Sequence, residues 1–464
     1  MKINKTDPGP PDHHANMQHT FIPRPNQTLL KLSFPVLLSL VAEPLTGLVD
    51  TGFIAALGAA PLAALGVGTV ALSSIIWAFN FLGIGTQTET AQALGAGGLH
   101  RARRMASLAL LMSALLGLIL IGAVWPLAST LADIMGASGR MHGLAAVYLR
   151  IRLFGAPAVL ITISGFGVFR GRQAMRIPMI IAAAVNLLNM ALDPLLIFGL
   201  GPLPQLGVAG AAGASVVSQW AGALALIWLI HRRIGLTGNI RLSEAMKLLR
   251  IGRDLFVRTG MLTLFLLLAT RAATQLGAAQ GAAHQAIRQI WIFTALFLDA
   301  YAVTGQSLVA YFAGAGQIWQ ARRVARYVCL WSVSTGVILS LLMWAGQETI
   351  IRLFVPAAAV FAFGPAWRIA LLAQPINALA FATDGIHWGT GDFRFLRNVV
   401  LAATTCCGLL LVLFQGHSLF SLKWIWTLTV LWALIRAAAG LLRVWPGTTK
   451  SPLSGRKLAK GKQS

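Results

Sequence analysis

Acidic residues are scarce in this chain: 13 Asp and Glu stand against 37 Lys and Arg in 464 residues. Charged residues of all kinds make up 11%, where soluble proteins carry roughly a quarter, and that deficit excludes an ordinary soluble enzyme. Cysteine occurs three times, at Cys329, Cys406 and Cys407, always inside an apolar run. Neither a disulfide framework nor a Cys/His metal spacing follows from such an arrangement. The chain has no Walker glycine loop with Lys and Ser or Thr, no G-x-S-x-G and no H-E-x-x-H, so it offers no ATP site and no hydrolase motif. Work is therefore expected to come from an ion gradient, in which the membrane potential supplies about 2.3 kcal/mol per charge per 100 mV.

What is abundant is apolar surface. Hydrophobic residues make up 57% of the chain and mean hydropathy is +0.73, more than one globular core can hide. Crossing about 30 Å of hydrocarbon takes about 20 residues of helix, and twelve such stretches are present. They lie near 32–57, 64–88, 105–129, 143–168, 177–200 and 208–230, then 256–277, 282–312, 327–351, 368–390, 398–416 and 422–442. The domain plan expected is a disordered arm over 1–28, a first lobe over 29–230, a linker over 231–255, a second lobe over 256–445 and a basic tail over 446–464. The arm lacks the short apolar core of a signal peptide and is read as retained; its His13, His14 and His19 are read as solvated rather than metal-binding. Arg150, Arg152 and Arg288 are read as snorkelling near span ends, and Trp367 and Trp388 as interfacial anchors of the tenth span.

Cytoplasmic loops are enriched in Lys and Arg. With both termini and alternate loops on one side, that side collects 28 of the 37 basic residues, and the opposite loops hold Arg140, Arg352, Arg368 and Lys423. Both termini are thus expected in the cytoplasm. The formal charge of +24 is explained by membrane orientation, and no nucleic-acid partner need be invoked. An internal repeat divides the chain: Gly95-Ala96-Gly97 with Ala102-Arg103-Arg104 recurs as Gly314-Ala315-Gly316 with Ala321-Arg322-Arg323, and Gln87 recurs as Gln306, all at one constant offset. A similar offset pairs Gly171 with Gly391. Six spans per copy make the copies parallel, related by an axis along the membrane normal.

Ionisable groups at membrane depth are costly and mark functional sites when they face protein or water. Asp50, in Glu43-Pro44-Leu45-Thr46-Gly47-Leu48-Val49-Asp50, lies on the first span beyond Pro35, so Pro35, Pro44 and Gly47 offer bending points near a carboxylate. Glu43 is two turns away on nearly the same face. Asp193 stands four residues after Asn189, on the same face of the fifth span, and together with Asp50 these are expected to form a polar cluster in the first lobe. The bland alternative is a permanently paired structural charge. Glu89 is placed at the cytoplasmic mouth. In the second lobe Asp299 and Asp384 are candidate polar contacts, and Arg271, on a seventh span without an acid, is a candidate counter-charge across a central cleft. No metal site is expected.

Taken together, Glu43 through Thr51, Gly95-Ala96-Gly97, Asp193-Pro194-Leu195-Leu196-Ile197-Phe198-Gly199, Gly207 through Ala212 and Asp384-Gly385 through Arg397-Asn398 resemble the multidrug and toxic compound extrusion (MATE) transporters, and within them the DinF branch. The resemblance covers about residues 29–445 and implies an all-α integral membrane fold of twelve helices in two six-helix lobes forming a V. It also implies a monomeric, non-enzymatic antiporter of a bacterial inner membrane, surrounded by lipid, that exports organic cations or amphiphiles by alternating access and uses no cofactor beyond an H+ or Na+ gradient. By the same resemblance Asp50 is the proton-exchanging carboxylate, Asn189 and Asp193 its partners, and Pro35 the bend. The absence of the seventh-span acid of the NorM branch favours protons. Two further readings are a lipid-linked precursor flippase of the same superfamily, for which a more cationic cavity is expected, and a membrane-embedded transferase using His387 and Asp392.

Overall fold

The structure, a computed structural model, describes residues 19–199, 204–417, 420–445 and 451–454, the side chain of Glu43 excepted. Among them every regular element is helical, as expected where backbone groups must be satisfied within each segment in lipid. The first lobe contains α1 (Pro25–Ala55), α2 (Ala59–Trp77), α3 (Phe81–Gly95), α4 (Leu99–Val124), the short α5 (Ala128–Ile134), α6 (Gly139–Leu153), α7 (Ala156–Gly171), α8 (Arg176–Phe198) and α9 (Val208–Arg233). The second contains α10 (Leu242–Gln275), α11 (Ala278–Gly314), α12 (Ile318–Ala345), α13 (Gln347–Phe354), α14 (Val360–Leu372), α15 (Gln374–Thr390), α16 (Phe393–Leu413) and α17 (Leu422–Val444).

Ten stretches, with α2 and α3 counted as one, are long and apolar enough to span a membrane, and two bent pairs complete the twelve. The pairs are α6 with α7, bent by 50°, and α14 with α15, bent by 45°. Pro157 and Pro375 follow these breaks; each removes a backbone donor just where the direction changes.

The two bends fall at equivalent points of the two copies, and the repeat extends to atomic detail. Gly58 and Gly277, which the offset of the repeat also pairs, both begin a helix from the left-handed half of backbone space, at φ 106° and 120°, which glycine adopts without steric cost. Gln173 (φ 62°) is matched by Gly391 (φ 78°), with the offset one position shorter. The structural mate of Gly171 is accordingly Gly389, not Gly391: a Cβ on Gly171 would meet the Gln87 carbonyl, and one on Gly389 the Gln306 carbonyl.

Three segments differ from the sequence reading. The arm is ordered from residue 19: Phe21 and Leu29 are fully buried with Phe312 and Val328 of the second lobe, and Leu453 joins the same cluster. His13, His14 and most of the tail lie outside the described residues. The linker is largely helical, because α10 starts at Leu242 and runs unbroken into the second lobe. Trp367 is fully buried and stacked on Phe363, and Trp388 is 7% exposed. Neither Trp367 nor Trp388 is an interfacial anchor: Trp367 packs in the core of the second lobe, and Trp388 packs between helices beneath Arg258.

Candidate functional site

In the first lobe α1 and α8 pack side by side, and each places its aspartate near its far end. Asp193 is fully buried and Asn189 is 2% exposed. The Asn189 Nδ2 donates to Asp193 Oδ1 at 3.5 Å. The carboxyl groups of Asp50 and Asp193 lie within hydrogen-bond reach of each other, while Asp50 Oδ1 and Asp193 Oδ2 are buried with no donor from the described groups. No Lys or Arg forms an ion pair with either among the described residues. Two carboxyl groups bond to each other only when a proton stands between them.

Arg152, at the end of α6, is close enough to Asp50 to attract it, and its guanidinium donates to Gln219 Oε1 on α9 at 2.9 Å. Hydropathy misses this residue because the span containing it begins at Gly139 rather than near 143. Once the break after Leu153 is included, Arg152 stands in mid-span. The pattern Phe154-Gly155-Ala156-Pro157 is the sequence signal for that break.

The expected bending segment of α1 runs as continuous helix through Pro35 and Pro44. Pro35 is buried, whereas Pro44 and Gly47 are exposed, and a Cβ at Gly47 would touch nothing within 4 Å. The Ala42 carbonyl accepts from Asn186 Nδ2 of α8 at 2.7 Å and from Thr46 Oγ1 at 3.2 Å. The Glu43 side chain lies outside the described residues.

The second lobe is wired differently. Asp384 on α15 accepts through Oδ2 from Arg258 of α10 and from Arg436 of α17, the latter at 2.7 Å. All three are buried, at 4%, 6% and 6% exposure, and the guanidiniums lie over Trp388 and Trp432. Asp299 of α11 stands in the field of Arg170, Arg258 and Asp384. Arg271, the expected counter-charge, is exposed and makes no ion pair among the described residues; Arg258, several turns earlier on the same helix, takes that place. Asp254, also on α10, is 4% exposed and pairs with Arg397 at 2.7 Å. Sequence reasoning misses it because the helix starts well before the expected span. His387 and Asp392 come together, Nδ1 to Oδ2 at 3.8 Å, but the His387 side chain is fully buried against the Gly440 carbonyl at 3.2 Å and Asp392 is bonded to Arg443 at 2.8 Å, an arrangement of a packed structural pair.

Every hydrogen bond between the lobes among the described residues lies towards the side bearing the termini and the basic loops. Gln87 Nε2 donates to the Val303 carbonyl at 2.8 Å, and Gln306 Nε2, its repeat mate, donates to the Ile84 carbonyl at 2.8 Å. Thr88 Oγ1 donates to the Trp388 carbonyl at 2.8 Å, and its mate Ser307 donates to the Arg170 carbonyl at 2.6 Å. Gly95 and Gly314 bring the backbones together, since a Cβ on one would strike the Tyr311 carbonyl and on the other the Gln92 carbonyl. Glu89, buried beside this closure, pairs with Arg101 at 3.0 Å and Lys247 at 2.6 Å. The lobes are thus latched at the basic side, while the Asp50 and Asp193 cluster stands near the opposite ends of its helices.

A two-lobed helical bundle with a six-span repeat, closed at one side and carrying a carboxyl pair in one lobe, has the plan of a V-shaped secondary transporter. The MatE family matches residues 35–195 and 256–414, and the chain belongs to this family of multidrug and toxic compound extrusion transporters, which are transporters and not enzymes. It is 31% identical to Protein DETOXIFICATION 44, chloroplastic, of Arabidopsis thaliana over 438 residues, covering 91% of this chain and 82% of that protein. It is 28% identical to DNA damage-inducible protein F of Escherichia coli (strain K12), covering 82% and 84%. The fold matches a crystal structure of MATE in the bent conformation with a TM-score of 0.85 at 20% identity, covering 95% of this chain and 97% of that one.

Proposed function

We propose that this protein is a proton-coupled antiporter that exports organic cations or amphiphilic compounds, and that Asp50 and Asp193 together form the exchange site. The observation that carries this reading is the carboxyl pair itself: two acidic groups in contact, each with a buried oxygen lacking a donor. One proton between them satisfies both groups, and its departure leaves a charge that a cation must balance. Asn189 orients Asp193, and Arg152 limits how much negative charge the pair can carry. The protonated pair draws α1 and α8 together, and the deprotonated pair drives them apart. The exposed segment around Pro44 and Gly47 gives α1 room to respond. Only a difference in affinity for proton and substrate between the outward-open and inward-open states drives net export.

The acidic cluster in the first lobe fits a cationic substrate better than the phosphates of a lipid-linked precursor. The distribution of basic residues supports a bacterial inner-membrane protein with both termini in the cytoplasm, and on this reading the latched side is the cytoplasmic gate of an outward-open monomer. The test is exchange in proteoliposomes of full-length protein under an imposed pH gradient, with a fluorescent organic cation as substrate. Uptake driven by the pH gradient in sodium-free buffer is expected for the native chain and absent for Asp50→Asn and Asp193→Asn. Transport that required sodium and ignored the pH gradient would remove the proton from the scheme.

A further inference from the structure

Where α1, the turn between α7 and α8, and the end of α9 meet on the basic side, the structure has a cavity of about 580 Å³. Four cationic side chains line it, Arg24, Lys31, Arg176 and Arg233, and no Asp or Glu does. None of the four side chains forms an ion pair or hydrogen bond among the described residues, although other basic residues on this side, Arg101, Arg104 and Lys247 among them, are paired with carboxylates. Four like charges around one bay repel one another, at a cost that an anion seated between them removes. Both α1 and α8 begin at this bay, and the positive ends of their helix dipoles favour the same sign of ligand. The wall is fixed by a bond from His19 to Gln173 Oε1 at 2.8 Å, so the bay is part of the folded protein and not a gap beneath a loose arm. Its lining is also two-faced: Leu32 and Ile177 continue from the cations into the membrane-spanning parts of α1 and α8.

We propose that this bay is a binding site for a phosphate group, and that its occupant is the headgroup of an acidic glycerophospholipid whose chains run along Leu32 and Ile177. Guanidinium groups suit phosphate because they offer paired donors in a plane, and basic pockets beside membrane helices are where anionic headgroups are held. The site is separate from the Asp50 and Asp193 pair and does not depend on what the transporter carries. Occupancy would tie the arm to α8 and α9, and so brace the basic side of the first lobe.

The experiment is native mass spectrometry of the purified full-length protein in detergent, titrated with phosphatidylglycerol, with phosphatidylcholine or with inorganic phosphate. One phosphatidylglycerol is expected to bind saturably, at least tenfold more tightly than phosphatidylcholine. The quadruple variant Arg24→Gln, Lys31→Gln, Arg176→Gln, Arg233→Gln should lose at least tenfold in that affinity. Two controls guard against misfolding and diffuse charge: Lys31→Arg with Arg176→Lys should retain binding, and Arg250→Gln with Arg326→Gln, which remove cations outside the bay, should leave it unchanged. Competition by inorganic phosphate at similar concentration would assign the same site to a soluble phosphate instead of a lipid. Equal binding by the quadruple variant, or equal loss in the Arg250 and Arg326 control, would overturn the proposal.

Discussion

The two lobes share a backbone plan yet place their charges at different points of it. The repeat carries Asp50, Asn189 and Asp193 onto Ala269, Cys407 and Leu411, all buried in the large apolar cluster of the second lobe. Conversely, the first-lobe mates of Arg258 and Asp384 are Ser39 and Phe166. In the second lobe one carboxylate is held by two guanidiniums; in the first, two carboxyl groups share one another with no ion-paired cation. A carboxylate saturated by arginines has no reason to change its protonation. A carboxyl pair that must divide a proton has every reason to. Duplication supplied two equal scaffolds, and on the proton-exchange reading proposed above the difference in wiring makes one lobe a mobile exchanger and the other a fixed frame.

The largest effect expected from breaking this contrast is in transport. Asp50→Asn or Asp193→Asn should abolish proton-driven exchange while preserving membrane yield and the elution profile of the purified protein; a variant that still exports against a gradient would overturn the division of labour. Asp384→Asn should do the reverse. It strands two buried guanidiniums, and loss of one partner from a buried charge cluster costs about 3–5 kcal/mol, so thermal stability and yield should collapse before any question of coupling arises. Intermediate in size is the latch. Each of the Gln87 and Gln306 bonds is worth about 1 kcal/mol, so Gln87→Ala with Gln306→Ala should shift the open-to-closed ratio of the basic side by roughly thirtyfold. Maleimide labelling of a cysteine placed at Ala315, which faces Gly95 across the closure, would report that shift.

The smallest effect concerns the arm. His19 packs against Tyr311 and Phe312, and burial holds its pKa below the ordinary value of about 6.5, the bond to Gln173 opposing only in part. The undocked arm therefore binds the proton more readily than the docked one. Docking is complete above pH 6.5 and weakens as pH falls below it. Limited proteolysis between Thr20 and Arg24 should accelerate modestly from pH 7.5 to 5.5, and His19→Gln should remove the pH dependence.

Much of this architecture is legible in the sequence because hydropathy and charge asymmetry act over whole spans. The twelve spans, the parallel repeat and the Asp50, Asn189 and Asp193 grouping all follow from periodicity and from the expense of acids in lipid. Less legible is anything decided by a local break. The bends before Pro157 and Pro375 shift residues along their spans, which makes Arg152 a neighbour of Asp50 rather than a snorkelling residue at a span end. Helix starts are equally deceptive: α10 begins outside the apolar run, so Asp254 reads as a linker residue and Arg258 as one at a span end, although both are buried. Preferring Arg271 to Arg258 is the same error, since hydropathy reports depth in the membrane but not which face meets a partner. Tryptophans give no warning either, because a Trp at a membrane surface and a Trp packed between helices have the same flanking composition.

Finally, α10 is one uninterrupted rod of 34 residues. Its first turns are fastened to the first lobe through Glu244 to Arg104 at 3.2 Å and through Lys247 to Glu89, and Gly252 packs against Phe81. Its remaining length is the leading helix of the second lobe. A slack tether would let each half rock on its own schedule. This stiff strut instead makes any swing of one half exert torque on the other, so the crossing from one side's access to the other's is geared through a single axle.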